Sequence, residues 1–225
     1  MRYALVFWLL GAAWLALAFY WRGAGWIAVW PGVSFALVGC AYGGLGTCVF
    51  GKRRDGRLPL GRSILLLPYV LLAWVSWAAV RRVTSEPACS EVAPGLWIGR
   101  RPVARELPPG VKFVVDLTCE LWEPRSVRNG AGYLCEPTLD ERFLPETRAA
   151  ALIQQLAPMS ETILIHCAQG HGRSATLAAA VMVARGVAAD LDDARRQIAA
   201  ARPRIRIHPY QRNAAARALI LLNLR

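Results

Sequence analysis

His166-Cys167-Ala168-Gln169-Gly170-His171-Gly172-Arg173-Ser174 is the stretch that decides how this chain reads. A cysteine, five residues, an arginine and a serine carry the parts of a phosphate-handling loop. The apolar run Thr162–Ile165 before it predicts a buried strand, and Ala175–Arg185 after it, rich in Ala, Leu, Val and Met, predicts a helix. Gly170 and Gly172 let the loop between them turn tightly and aim its N–H groups inward. The helix start adds partial positive charge at the same point. Such a cradle binds a phosphate dianion and favours the thiolate of a cysteine set inside it, the form that attacks phosphorus. Arg173 offers two phosphate oxygens a planar fork that lysine cannot reproduce. Cys167 is therefore the candidate nucleophile, and Ala168, Gln169, Gly170, His171, Gly172 and Arg173 are the candidate substrate-binding loop. His166 is read as structural support, hydrogen-bonded to the backbone that shapes the loop. His171 has two readings, a substrate contact or a solvated loop histidine. Ser174 can aim its hydroxyl at the Cys167 sulfur or cap the helix that follows.

The run resembles the signature of the cysteine-dependent protein tyrosine phosphatases, in particular their dual-specificity branch. The resemblance extends over roughly Ser90 to Leu222. Val92–Gly99 resembles the first strand of that fold, and Val114–Glu120 its next core strand. Pro137-Thr138-Leu139-Asp140, with Pro145 after it, resembles the loop carrying its general acid. Arg202-Pro203-Arg204 with Gln211 resembles its C-terminal helical end. The resemblance implies that Ser174 helps the thiolate leave and that no metal or organic cofactor is needed. The signature lacks the lysine beside the cysteine that many phosphoinositide-acting relatives carry; Ala168 stands there.

A phosphatase of this kind needs an acid to protonate the leaving oxygen. Asp116 ends the apolar strand Phe113–Val115 and is expected to be held by nearby backbone. Asp140 lies in a turn-like segment before the helix that begins near Pro145, and a mobile loop suits an acid that closes over substrate. Asp140 is preferred, with Glu141 in reserve.

The chain before this domain is of another kind. Tyr3–Trp21, Trp26–Phe50 and Ser63–Val80 are apolar runs free of charge, each long enough as a helix to cross a hydrocarbon core of roughly 30 Å. Trp21, Trp26 and Trp77 fit interfacial positions. Gly39-x3-Gly43 gives the second run a small-residue face for close packing. The first run has a second reading as a cleaved signal, given Ala16-Leu17-Ala18. Residues 1–82 thus read as an all-α transmembrane module of three helices and residues 83–225 as the phosphatase domain.

The net charge of +12 is unevenly placed. Up to Arg82 there are nine basic residues and one acid, Asp55, a net +8; from Val83 on there are eighteen and fourteen, a net +4. Lys52, Arg53, Arg54, Arg57 and Arg62 favour anionic headgroups. The basic segment Arg202–Arg206 could attract an anionic substrate or membrane surface. A nucleic-acid partner is not expected, because no stacking aromatics are interleaved there beyond Tyr210. With six cysteines in no paired spacing and three histidines, no metal site is expected either. A catalytic thiolate suits a reducing compartment. Loop charges on three spans favour the opposite side, with Arg2 and the five loop bases inside and the domain exported to the outer, periplasmic face.

Strand candidates Leu96–Gly99, Phe113–Leu117, Tyr133–Cys135 and Thr162–Ile165 alternate with helix candidates Glu146–Leu156, Ala175–Arg185, Leu191–Ala201 and Pro209–Leu222. This pattern predicts a three-layer α/β domain with a mainly parallel central sheet. The expected function is membrane-anchored hydrolysis of phosphate monoesters through a phosphocysteine. The substrate would be a phosphoprotein, on tyrosine or Ser/Thr, or a phospholipid headgroup. The alternative is a catalytically inactive phosphate-binding scaffold in the membrane.

Overall fold

The computed structural model describes residues 2–21, 23–130 and 132–224. Arg22 and Arg225, which enter the charge counts, lie outside the described residues. Two compact units emerge. One comprises Met1–Arg53, Arg57–Arg82 and Cys119–Trp122; the other comprises Arg54–Gly56, Val83–Thr118 and Glu123–Arg225.

In the first unit, helix α1 spans Arg2–Trp21. A second helical run of 27 residues covers Gly23–Val49, with the regular helix α2 at Val29–Cys40 as its centre. Both runs are long and apolar enough to cross a membrane. Small residues let them pack closely. A Cβ on Gly11 would lie 2.9 Å from the Gly32 carbonyl oxygen, and Gly39 and Gly43 both face the Trp8 indole. The third expected span is not one helix. It divides into α3, Leu60–Leu65, and α4, Leu67–Val83, with Leu66 at φ −94°, ψ 6° between them. Pro68 explains the break, since its ring would meet the carbonyl four residues back in a continuous helix. Among the described residues, two apolar helical runs, rather than three, therefore have spanning length.

In the second unit a five-stranded sheet has the order β1-β2-β5-β3-β4. The strands are β1 Cys89–Ala93, β2 Leu96–Arg100, β3 Val111–Thr118, β4 Gly132–Thr138 and β5 Thr162–Cys167. Only β1 is antiparallel to its neighbour; β2, β5, β3 and β4 run parallel. The sequence reading missed β1, whose Ser90 and Glu91 lack a strand's apolar alternation, and which Gly95 at φ +70° folds back from β2.

Sheet residues alternate between two faces. Leu96, Ile98, Val115, Leu117, Ile163 and Ile165 join the core formed with α6 Glu146–Leu156, α7 Arg173–Ala184, α8 Leu191–Ala201 and α9 Pro209–Leu221. Helix α7 is buried from Arg173 to Val183 and is the apolar centre of this layer. Val114 and Leu164 face the other way, against Val127 of the short helix α5, Arg125–Arg128, and Leu107. Within this unit the expected third layer is thus short, and the long helices share one face.

The outer edge of β4 is partly covered from far away in sequence. The Cys135 N–H donates to the Arg54 carbonyl at 3.1 Å, the Glu123 N–H to the Gly56 carbonyl at 3.2 Å, and Arg128 Nη1 to the Asp55 carbonyl at 3.1 Å. Gly56 is required there: its φ is +77°, and a Cβ would lie 2.3 Å from the Tyr133 hydroxyl.

Candidate active site

The central strand β5 ends in Cys167, and α7 begins at Arg173. The loop between them leaves the carboxyl end of a strand flanked on both sides by parallel neighbours, where such sheets place ligands. Gly170 makes its turn possible, at φ +78° and with a Cβ position 2.3 Å from the Gly99 carbonyl carbon on β2.

Four successive loop carbonyls are held from outside. Ala168 O accepts from the Arg101 N–H at 3.3 Å, and His171 O from the Arg206 N–H at 2.9 Å. Gln169 O accepts from Arg202 Nη2 at 3.3 Å, and Gly170 O from Arg202 Nε at 3.0 Å. A trans peptide plane sets its N–H opposite its carbonyl. The N–H groups of Gln169, Gly170, His171 and Gly172 are thereby turned to the inner side of the loop. The Gly170 N–H already donates to Cys167 Sγ at 3.2 Å. Concentrated N–H donors at a helix start make an anion cradle.

Cys167 is buried, with Sγ 3.5 Å from Ser174 Oγ. Gly172, which has no side chain to offer, is the cap residue of this helix, and Ser174, inside the first turn, faces the sulfur instead of capping. Arg173 is 1% exposed, and its Nη1 donates to Thr138 O at 2.8 Å and Leu117 O at 3.3 Å. The ends of β3 and β4 thus anchor the guanidinium. Its Nε lies 3.3 Å from Asp140 Oδ1, whose side chain is 65% exposed. Asp140 sits on a turn whose next residue, Glu141, adopts φ +54°.

Asp116 is differently placed. It is fully buried, and Oδ1 accepts from Thr118 N–H and Oγ1, both at 2.7 Å, while Oδ2 accepts from the Tyr133 hydroxyl at 2.6 Å. Burial, then the Asp116 charge, hold the Tyr133 phenol protonated well above its usual range. His166 is buried beside this pair, with Nδ1 4.0 Å from Asp116 Oδ1 and Nε2 3.9 Å from Glu123 Oε2. Its neighbours are carboxylates rather than the loop backbone expected from sequence. Donor atoms of Asp116, Glu123 and His166 lie within 4.8 Å of one another. The Arg101 guanidinium, with Nε 3.3 Å from Glu123 Oε2, supplies the positive charge of this cluster, and no metal is assigned to it.

Sequence reasoning missed the outer supports of the loop. The sequence places Arg202 in a basic segment that could attract an anion, but it is 1% exposed and faces inward. Besides the two loop carbonyls it donates to Pro87 O at 2.9 Å and pairs with Glu86 at 3.3 Å. Burial lowers its proton affinity, and the Glu86 carboxylate works against that. His171 is not simply solvated, since Nε2 lies 2.6 Å from Glu86 Oε2. The Arg-Pro pair was the only signal in the sequence for any of these contacts.

Solved structures align over most of their own length with this unit. PTPMT1 in complex with PI(5)P matches with TM-score 0.53 at 18% identity, covering 60% of this chain and 97% of that one. Tk-PTP in its active form matches with TM-score 0.50 at 24% identity, covering 59% and 96%. Human DUSP28 matches with TM-score 0.50 at 20% identity, covering 60% and 97%. The C-terminal unit has the dual-specificity phosphatase fold. No protein-family model and no curated protein matches the sequence.

Proposed function

We propose that the protein is a cysteine-dependent phosphomonoester hydrolase. The observation that carries this reading is the outward hold on four consecutive loop carbonyls after Cys167, which leaves four N–H groups on the inner side of the loop, that of Gly170 donating to the Cys167 sulfur. Cys167 Sγ attacks phosphorus and the bond to the leaving oxygen breaks, while Asp140 gives that oxygen a proton. Arg173 and the loop N–H groups stabilise the charge on the equatorial oxygens. Water then attacks the phosphocysteine, Asp140 takes its proton, the P–S bond breaks, and the Ser174 hydroxyl donates to the departing thiolate. Asp140 is the better acid because it is exposed beside Arg173, whereas the Asp116 carboxylate is committed to Thr118 and Tyr133.

The N-terminal helices anchor this enzyme to a membrane. Arg54–Gly56, between the second and third apolar runs, belongs to the C-terminal unit and bonds to Cys135 and Glu123 there, and Val83, after the third run, begins that unit's next segment. The segments on either side of Arg57–Arg82 thus both belong to that unit, which favours two spans with α3 and α4 remaining on one side. Arg2, the five loop bases, Arg81 and Arg82 then share the side of the catalytic unit. The positive-inside rule makes that side cytoplasmic, the reverse of the exported arrangement expected with three spans. A reducing cytoplasm also suits a thiolate.

The substrate class is a phosphoprotein or a phospholipid headgroup at the inner leaflet. The PI(5)P complex of PTPMT1 supports lipid, while Ala168 in place of lysine argues against an inositol headgroup. Full-length protein in mixed micelles, offered phosphopeptides and phospholipids with phosphate release measured, ranks them. Cys167→Ser should abolish release yet still bind phosphate; turnover near wild type would remove Cys167 from its role. C-terminal reporter fusions test the side: a fluorescent protein should light up and alkaline phosphatase should stay silent.

A further inference from the structure

We propose that Glu86 is a positioning residue for phosphate binding, acting through His171 and Arg202. The inference rests on the phosphatase reading and adds to it a residue outside the signature. Glu86 stands three residues past α4 in the chain, and its side chain is 9% exposed. One oxygen, Oε2, meets both His171 Nε2 at 2.6 Å and Arg202 Nη2 at 3.3 Å. The residue is itself held: its carbonyl accepts from Arg100 Nη1 at 3.1 Å, and its N–H donates to Thr84 Oγ1 at 3.2 Å. The next carbonyl, of Pro87, accepts from Arg202 Nη1 at 2.9 Å.

These contacts converge on three of the four loop residues whose N–H groups form the cradle. Arg202 orients the peptide planes after Gln169 and Gly170, and His171 is the residue after Gly170. Glu86 supplies the counter-charge that keeps Arg202 in place and fixes the His171 ring on the outer wall. Without it the ring, one quarter exposed, is free to swing, and the planes that aim the Gly170 and His171 N–H groups lose a restraint. The loss falls on affinity for the phosphoryl group before and after reaction. The loop N–H groups hold the bound ester and the transition state alike, and the groups that act on the chemistry alone, Cys167 and Asp140, are not touched by Glu86.

The test uses the full-length protein in detergent micelles with an aryl phosphate, and inorganic phosphate as competitive inhibitor. Glu86→Ala should raise KM and the phosphate inhibition constant together, by about tenfold, which is the weight of one charged hydrogen bond. The kcat should change by less than about threefold, since N–H groups that hold ester and transition state alike weaken both together. Glu86→Gln, which keeps a hydrogen-bonding group and loses the charge, should fall between. His171→Ala added to Glu86→Ala should bring little further loss, because the two act as one unit. A merely structural role predicts a lower melting temperature with both constants at their wild-type values, and that result overturns the proposal. Fully additive losses from the two substitutions also overturn it. Where Glu86→Ala does not fold, Glu86→Gln decides by the same two constants, with no change in either counting against. Failure of the phosphatase reading is distinguishable, because wild type itself would then show neither turnover nor phosphate binding, and the proposal falls with it.

Discussion

Replacing Arg202 by alanine tests the account of the loop at its most buried support. Arg202 is 1% exposed and donates to Gly170 O, Gln169 O and Pro87 O at 3.0, 3.3 and 2.9 Å, besides pairing with Glu86 at 3.3 Å. Alanine leaves three carbonyls short of a donor and Glu86 with His171 alone. A stranded polar group costs about 1–3 kcal/mol, and breaking a buried ion pair costs about 3–5 kcal/mol. These terms describe one event and are not added, so the expected loss is about 3–5 kcal/mol. That is a large share of the roughly 5–15 kcal/mol that holds a typical domain. The melting temperature should fall by about 10 °C. Thermal unfolding of the full-length protein in micelles, followed by circular dichroism, reads the loss. Phosphate inhibition below the transition should weaken as well, since the Gln169 and Gly170 planes are no longer held. Arg202→Lys should recover only part of both effects, because one ammonium cannot reach the separate acceptors served by a guanidinium. A loss under about 1 kcal/mol with unchanged phosphate inhibition would refute the reasoning, since the carbonyls would then be held by something else.

Asp140→Asn should lower kcat by about a hundredfold or more for poor leaving groups and much less for activated aryl phosphates, and should remove the basic limb of the pH–rate profile. Asp116→Asn should instead lower stability, through its bonds to Thr118 and Tyr133; the reverse pattern exchanges the two roles. Gly170→Ala should weaken phosphate binding by at least about tenfold, since left-handed backbone costs a side chain about 1–2 kcal/mol and the Cβ would sit 2.3 Å from Gly99; inhibition by phosphate at wild-type strength contradicts the described turn. Burial pushes the Cys89 thiol up from 9.0 to about 12, against the pull of Arg202 and Arg100. The unfolded thiol ionises first, so this contribution to stability is intact below pH 9.0 and is lost as pH rises to about 12. Melting temperatures should fall through that window, and less so in Cys89→Ala; equal slopes for the two proteins would remove Cys89 as the cause.

Local patterns carried much of the architecture. The apolar run before Cys167 and the Ala-rich run after it are recognisable because strand and helix periods are short-range properties of the chain. Spacing alone grouped Cys167, Arg173 and Ser174, since all three border one short loop between β5 and α7. Even the preference for Asp140 over Asp116 followed from one lying in a turn and the other ending a strand. Other features needed the folded chain. Arg202 and Arg204 look alike in sequence, but the folded chain buries one at 1% exposure against the Gln169, Gly170 and Pro87 carbonyls and leaves the other exposed. Glu86 meets His171 across 85 positions, and Arg202 reaches Pro87 across 115. Ser63–Val80 is apolar enough for a span, yet whether a helix continues through Pro68 depends on one ring meeting one carbonyl. The bond from Cys135 to Arg54 likewise joins segments 81 residues apart. Periodicity records which face of an element is apolar; it does not record which buried charge meets which carbonyl, because those partners are brought together only when the sheet and helices close around them.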